Sequence, residues 1–233
     1  QSGIYEINLS GFQTGEIFLK EFSVTATENL LMLGFLHPLT IKLAAVEPHV
    51  LDLVRFLEKL GAKIDFLNGH SFKAGFSEST KNQPIEHTII NDPIEALTLA
   101  ILAAATKGKI NIIGIDAGHL EAPLQKLKEF GAVFKIKENI LSVDGPSSVL
   151  RSAKVQTLPY PGLPTDLQAP FGVLATQTSG ASLIFDTLYE GRLKYIDELK
   201  KMGADAVILD PHRALITGPT PLSGAKIESL DLR

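Results

Sequence analysis

The feature that most constrains the fold is a cassette that occurs three times: an amphipathic helix, a Gly-Ala pair, a strand, a tight turn and a second strand. Its copies occupy residues 50–76, 120–145 and 193–218, and their glycines fall at Gly61, Gly131 and Gly203, spacings of 70 and 72 residues. A period of that length marks one supersecondary unit repeated along a chain. In the first copy Val50, Leu53, Val54, Leu57 and Leu60 follow the i, i+3, i+4, i+7 spacing of one apolar helix face. Gly61 then supplies the helix cap, and residues 62–67 and 71–76 alternate as strands around Asn68-Gly69, a hairpin turn signal. The second copy turns at Glu138-Asn139 and the third at Asp210-Pro211-His212.

A second repeated piece precedes each cassette: a short strand, a largely apolar helix, a Gly or Pro stop and another strand. These pieces fall at 16–22, 27–36 and 40–46, at 86–90, 93–107 and 109–115, and at 153–158, 167–178 and 181–188. The complete unit therefore reads βαβαββ. Its first helix is apolar nearly all round, as in Ile94 to Ala105, which predicts a buried helix with the amphipathic one beside it, helices inside and sheets outside. The ends break the period. Residues 3–9 read as the last strand of a preceding unit and 225–233 as the first strand and helix start of a following one, the pattern of an excised piece. Thr80 to Pro84 is the most polar, least periodic stretch and the best candidate linker.

Composition removes several classes of function. With 45% hydrophobic residues in 233, the chain can bury a sizeable core, as one large domain or two modest ones. A net charge of −4 with no dense basic run argues against a nucleic-acid or anionic-membrane surface. No cysteine is present, which excludes disulfides, thiolate metal sites and cysteine nucleophiles and fits a cytoplasmic protein. The apolar run 99–105 is too short to span a bilayer, and Gln1 to Asn8 lacks a signal-peptide pattern. The six histidines have no metal-ligand spacing and read as surface or turn residues, so no metal is expected.

Candidate chemistry gathers at helix starts. Ser23, Val24 and Thr25 open the first apolar helix, Asn91-Asp92 the second and Thr165-Asp166 the third. Repeated architecture would aim these N-termini the same way, on a face suited to phosphates or carboxylates. The third start lies in the string Tyr160-Pro-Gly-Leu-Pro-Thr-Asp-Leu-Gln-Ala169, where prolines stiffen a loop and Thr165 or Asp166 is placed to cap the run 167–175. Asp166 is the candidate general base, or an orienting acceptor for a substrate hydroxyl. Arg192, at the start of the third amphipathic helix, can clamp a phosphate or carboxylate through its planar fork. Asp231 and Arg233 repeat that Asp-plus-Arg chemistry at the chain end.

The strings at 159–169, 190–192, 198–204, 222–225 and 231–233 resemble the enolpyruvyl transferase superfamily, most closely its branch with UDP-N-acetylglucosamine as acceptor. Weaker similarity covers nearly the whole chain. The resemblance implies an inside-out α/β barrel of repeated βαβαββ units, with about three of the usual six present. Residues 1–82 would be the last unit of the first domain, and 83–233 the first two units plus the start of a third of the second. It implies transfer of the enolpyruvyl group from phosphoenolpyruvate to the sugar 3-hydroxyl with loss of phosphate, a step of peptidoglycan precursor synthesis, in partnership with the remainder of a longer chain and with no cofactor. By the same resemblance Asp166 lies near that hydroxyl, and Thr165 and the Leu188 backbone contact the amino sugar. Arg192 binds phosphoenolpyruvate, Asp231 and Arg233 lie on its side of the cleft, and Ser23, Val24 and Thr25 approach the diphosphate.

Three departures stand out: Glu21 and Thr25 where the family usually has Lys and Gly, and Gly191 where it has Asn. The sister branch that acts on shikimate 3-phosphate is the alternative enzyme, and a non-catalytic sugar-nucleotide-binding or scaffold relative the alternative of another class.

Overall fold

In the computed structural model the described residues are 6, 11, 14–76 and 84–229. The expected strand at 3–9, most of the candidate linker, and Asp231 and Arg233 lie outside them. The chain divides into two compact units, Gln1–Ile90 and Asn91–Arg233.

The first unit runs β1 (Gly15–Phe18), α1 (Val24–Leu36), β2 (Leu39–Lys42), α2 (Pro48–Lys59), β3 (Ala62–Leu67) and β4 (Ser71–Phe76). Its strands form one sheet in the order β1-β2-β4-β3, with β1 parallel to β2 and the other pairs antiparallel. Leu31, Ile41, Val50 and Phe72 are sealed between this sheet and the two helices. The expectation of a fully buried first helix fails here: within α1 only Thr27, Leu31 and Gly34 are buried, and Leu36 is 69% exposed. Within the unit α1 has a single sheet and α2 to lie against, so its other apolar side stays uncovered.

The second unit contains α3 (Pro93–Ala105), β5 (Lys109–Ile113), α4 (Glu121–Glu129), β6 (Phe134–Lys137), β7 (Ile140–Asp144), β8 (Val155–Gln156), α5 (Gln168–Ala175), β9 (Gly180–Phe185), α6 (Tyr195–Lys201), β10 (Asp205–Asp210) and β11 (Arg213–Gly218). Two sheets result, β5-β7-β6 and β10-β11-β9-β8. The helices α3 and α5 pack on each other as well as on their own sheets, which puts helices inside and sheets outside. Phe130, capping α4, stacks on Phe171 of α5 with ring centroids 5.5 Å apart, in one continuous apolar core.

Sheet topology bears out the repeat. The first and last copies share the order first-second-fourth-third strand, and the middle copy has that order without its first strand. The expected strand at 86–90 is absent because its polar groups have other partners. Lys59 Nζ donates to the Glu86 carbonyl at 2.8 Å, and His87 Nε2 lies 3.3 Å from the Asp52 carboxylate on α2. His87 is thus a partly buried wedge, its side chain 11% exposed, not the surface residue its isolation in sequence suggests. Residues 225–229, expected as a strand, have no regular structure: the Glu228 N–H donates to the Glu198 carboxylate of α6 at 3.1 Å, which takes the segment off any sheet edge.

The cassette glycines adopt the backbone that the helix caps require. Gly61, Gly131 and Gly203 have φ of 97°, 84° and 97°, the left-handed region where a side chain is strained.

Candidate functional site

Of the three apolar helices, two start as their sequences predict. Ser23 Oγ accepts from the Ala26 N–H at 3.3 Å, and Asp92 Oδ1 accepts from the Ile94 and Glu95 N–H groups at 2.8 and 3.3 Å. The third does not: neither Thr165 nor Asp166 caps α5. Both lie in a 3-10 turn, Thr165–Leu167, that precedes the helix, and α5 begins without a side-chain cap. Their polar groups are turned to other partners. This break in a threefold pattern makes the corner the candidate site, since function is one reason for a chain to break local rules it otherwise obeys.

Thr165 Oγ1 donates to Asp186 Oδ2 at 2.5 Å and accepts from Arg192 Nη1 at 3.2 Å. The same Nη1 donates to Asp166 Oδ1 at 3.0 Å, an ion pair about one-third exposed on both sides. The Arg192 guanidinium also lies 4.8 Å from the centre of the Tyr189 ring, a cation–π contact that fixes its plane. Arg192 opens a 3-10 turn, Arg192–Lys194, leading into α6, and Gly191 before it has φ 75°. Asn is among the few residues other than glycine that tolerate this conformation.

Asp186, which sequence reading passed over, is the centre of this arrangement. It follows directly on β9 and is fully buried, and five neutral donors converge on its carboxylate. Thr157 Oγ1 and the Leu188 and Tyr189 N–H groups bond Oδ1 at 3.1, 2.9 and 3.0 Å; Thr165 Oγ1 and, at 3.1 Å, Gln168 Nε2 bond Oδ2. Burial pushes its pKa upward, but the hydrogen bonds from Thr165, Leu188, Tyr189 and Gln168 prevail and hold it below the ordinary carboxylate value. Its backbone is held too: the Asp186 N–H donates to the His212 carbonyl at 2.9 Å, and His212 Nδ1 lies 2.8 Å from the Asp186 carbonyl. The Tyr195 hydroxyl is buried close by, and burial together with the Asp186 charge keeps it protonated. The available sequence signal was an aspartate directly after an apolar strand, Ile184-Phe185-Asp186, at the start of the loop that carries Arg192; by itself it is indistinguishable from a turn residue.

The structure therefore brings together Thr165, Asp166, Arg192 and the Leu188 N–H. Ser23, Val24 and Thr25 belong to the other unit, where Ser23 caps α1 and the exposed Thr25 accepts through its carbonyl from Asn29 Nδ2 at 2.8 Å. A cavity of about 210 Å³ lies elsewhere, at the start of α3, beside Asn91, Asp92, Glu95 and His119; of the helix starts singled out in sequence it takes in Asn91-Asp92, and it includes none of Ser23, Val24, Thr25, Thr165, Asp166, Leu188 and Arg192. Among the described residues no three His, Asp or Glu side chains are grouped to hold a metal ion, and no helix is long and apolar enough to cross a membrane.

The family profile described as EPSP synthase (3-phosphoshikimate 1-carboxyvinyltransferase) matches residues 4–233. Among curated proteins, a UDP-N-acetylglucosamine 1-carboxyvinyltransferase of Halothermothrix orenii is 41% identical over 99% of this chain and 55% of its own length. Another of that name, from Desulfosudis oleivorans, is 40% identical over 94% of this chain and 52% of its own. The chain spans about half the length of these relatives. Among solved structures, the enolpyruvyl transferase NikO from Streptomyces tendae superposes with a TM-score of 0.81 at 20% identity, over 90% of this chain and 52% of that one, and shares its fold.

Proposed function

The chain belongs to the EPSP synthase family of enolpyruvyl transferases, and on that footing we propose that it forms about half of a UDP-N-acetylglucosamine 1-carboxyvinyltransferase. The reaction is transfer of the enolpyruvyl group of phosphoenolpyruvate to the 3-hydroxyl of UDP-N-acetylglucosamine, with release of phosphate, in the cytoplasmic synthesis of peptidoglycan precursors. The observation that carries the reading is the Arg192–Asp166 pair at 3.0 Å, held against Thr165 on a loop whose sequence matches the family string.

Addition forms a bond from the sugar oxygen to C2 of phosphoenolpyruvate while the methylene carbon gains a proton, giving a tetrahedral intermediate. Elimination then breaks the C2–O bond to phosphate, and a proton leaves the methyl group. Asp166 accepts or orients the hydroxyl proton. Arg192 presents a planar fork suited to the carboxylate or phosphate of the donor. Thr165 and the Leu188 backbone contact the amino sugar; because the Leu188 N–H serves Asp186, that contact goes through its carbonyl. Asp231 and Arg233 act on the donor side, and Ser23, Val24 and Thr25 near the diphosphate. The two units are assigned as the last βαβαββ repeat of one domain and the leading repeats of the second, the remainder of the polypeptide completing the cleft.

The test is phosphate release from phosphoenolpyruvate by the full-length protein that contains this chain, with UDP-N-acetylglucosamine or shikimate 3-phosphate offered separately. Release with the sugar nucleotide alone, abolished by Asp166→Asn in a protein that still folds, is the expected result. Release only with the shikimate ester moves the assignment to the sister enzyme; release with neither makes the chain a binding relative.

A further inference from the structure

We infer that Asp186 is a positioning residue, whose buried carboxylate locks the 157–168 and 186–192 loops together so that Asp166 and Arg192 meet in working geometry. Its bearing on catalysis rests on the function proposed above; the locking itself does not.

The two oxygens divide the work. Oδ1 holds the second loop through the Leu188 and Tyr189 N–H groups and the near end of the first through Thr157, and Oδ2 holds the far end of the first through Thr165 and Gln168. Thr165 then links Oδ2 to Arg192, whose Nη1 reaches both Thr165 Oγ1 and Asp166 Oδ1. Thr157 reinforces the junction: its hydroxyl donates to Asp186 and accepts from the Thr187 N–H at 3.1 Å. Backbone N–H groups can only donate, so the loop at 188–189 requires an acceptor at this position. An ionised carboxylate offers two acceptor oxygens and no donor, which suits a junction where every partner donates.

This division makes the amide variant informative. In Asp186→Asn the oxygen stays with Leu188 and Tyr189, and the new NH2 group faces Thr165 and Gln168. Gln168 Oε1 is buried without a partner, so its amide can turn and accept. Thr165 can accept as well, but it must then redirect its own O–H while Arg192 donates to the same oxygen. The 186–192 loop is therefore kept and the Thr165–Arg192–Asp166 chain disturbed. In Asp186→Ala both loops lose their anchor.

The experiment uses the full-length protein that contains this chain and pairs two readouts. In steady-state phosphate release, Asp186→Asn should lower kcat by about 10- to 100-fold, the scale of a misplaced reacting group, with a smaller change in KM for the sugar nucleotide. The core variant Leu141→Ala, in the other sheet of the unit, should lose melting temperature and keep kcat. In amide hydrogen exchange, Asp186→Asn should speed exchange at residues 165–168 and leave 188–189 protected, whereas Asp186→Ala should release both. Unchanged exchange at 165–168 in Asp186→Asn overturns the inference, as does a kcat loss no larger than that of Leu141→Ala. If the wild-type protein transfers no enolpyruvyl group, the proposed function falls, and exchange alone still decides whether Asp186 locks the loops.

Discussion

The three cassette glycines occupy one repeat position and share one backbone conformation, yet substituting them should have unequal costs. An alanine at φ near +90° costs about 1–2 kcal/mol in backbone strain, offset by about 0.4–1 kcal/mol because the unfolded chain loses freedom. At Gly203 that is nearly the whole effect, since a Cβ there would meet nothing nearer than the Pro221 carbonyl oxygen at 3.8 Å. The expected loss is about 1 kcal/mol. At Gly131 the same Cβ would lie 2.1 Å from the Val149 carbonyl oxygen, so the backbone at 149 must retreat by more than an ångström. That segment is fastened by the Arg151 N–H to the Phe130 carbonyl at 3.0 Å and by the Val133 N–H to Ser148 Oγ at 2.9 Å. Overpacking of about 1–3 kcal/mol and weakening of bonds worth about 1 kcal/mol each bring Gly131→Ala to about 3–4 kcal/mol. The chain has no tryptophan and three of its four tyrosines, Tyr160, Tyr189 and Tyr195, lie in the second unit, so tyrosine fluorescence during urea unfolding reports on it directly. Equal losses at the two positions would refute the argument, because they would mean that conformation alone and not the neighbouring strap sets the cost.

Arg192→Lys keeps the charge but loses the planar fork whose remaining N–H groups can grip a carboxylate or phosphate while Nη1 holds Thr165 and Asp166, so the KM for phosphoenolpyruvate should rise at least tenfold in the full-length enzyme; an unchanged KM would remove Arg192 from donor binding. Asp92→Ala removes a cap with two N–H partners and should cost about 1 kcal/mol in the second unit, read from the same urea curves. Asp186 has a folded pKa below its unfolded value of about 3.9, so the stability it contributes is present above that pH and is lost as pH falls through the folded value. Asp186→Asn should therefore flatten the acid limb of the stability curve below about pH 4, measured by unfolding at stepped pH.

What could be read from the sequence was what short-range chemistry decides. The Gly-Ala pairs, the hairpins after them and the caps at Ser23 and Asp92 each depend on residues within a few positions, and each appears where its local signal lies. What failed depends on partners far along the chain. Residues 86–90 alternate like a strand but are held by Lys59 and Asp52 of α2, and Thr165 resembles a cap but is taken by Asp186 and Arg192. Asp186 was invisible for the same reason: three of its five donors, Thr157, Thr165 and Gln168, lie 18 to 29 positions away and converge on it only once β9 and the 157–168 loop are side by side.

The capped helix and hairpin also imply an order of events in folding. In β3–β4, β6–β7 and β10–β11 the strands are joined by a few residues, so loop closure is cheap and pairing takes microseconds. The parallel pairs β1–β2 and β8–β9 must wait for an intervening helix to form and dock. The contacts of the site join residues 18 to 29 positions apart, across the slower of these two kinds of pairing. Assembly of the chemistry is thus a late event laid over cassettes that are already formed. Substitutions at Thr165, Asp166 or Arg192 leave the early steps alone, and a chain built this way can change what it does at that corner without relearning how to fold.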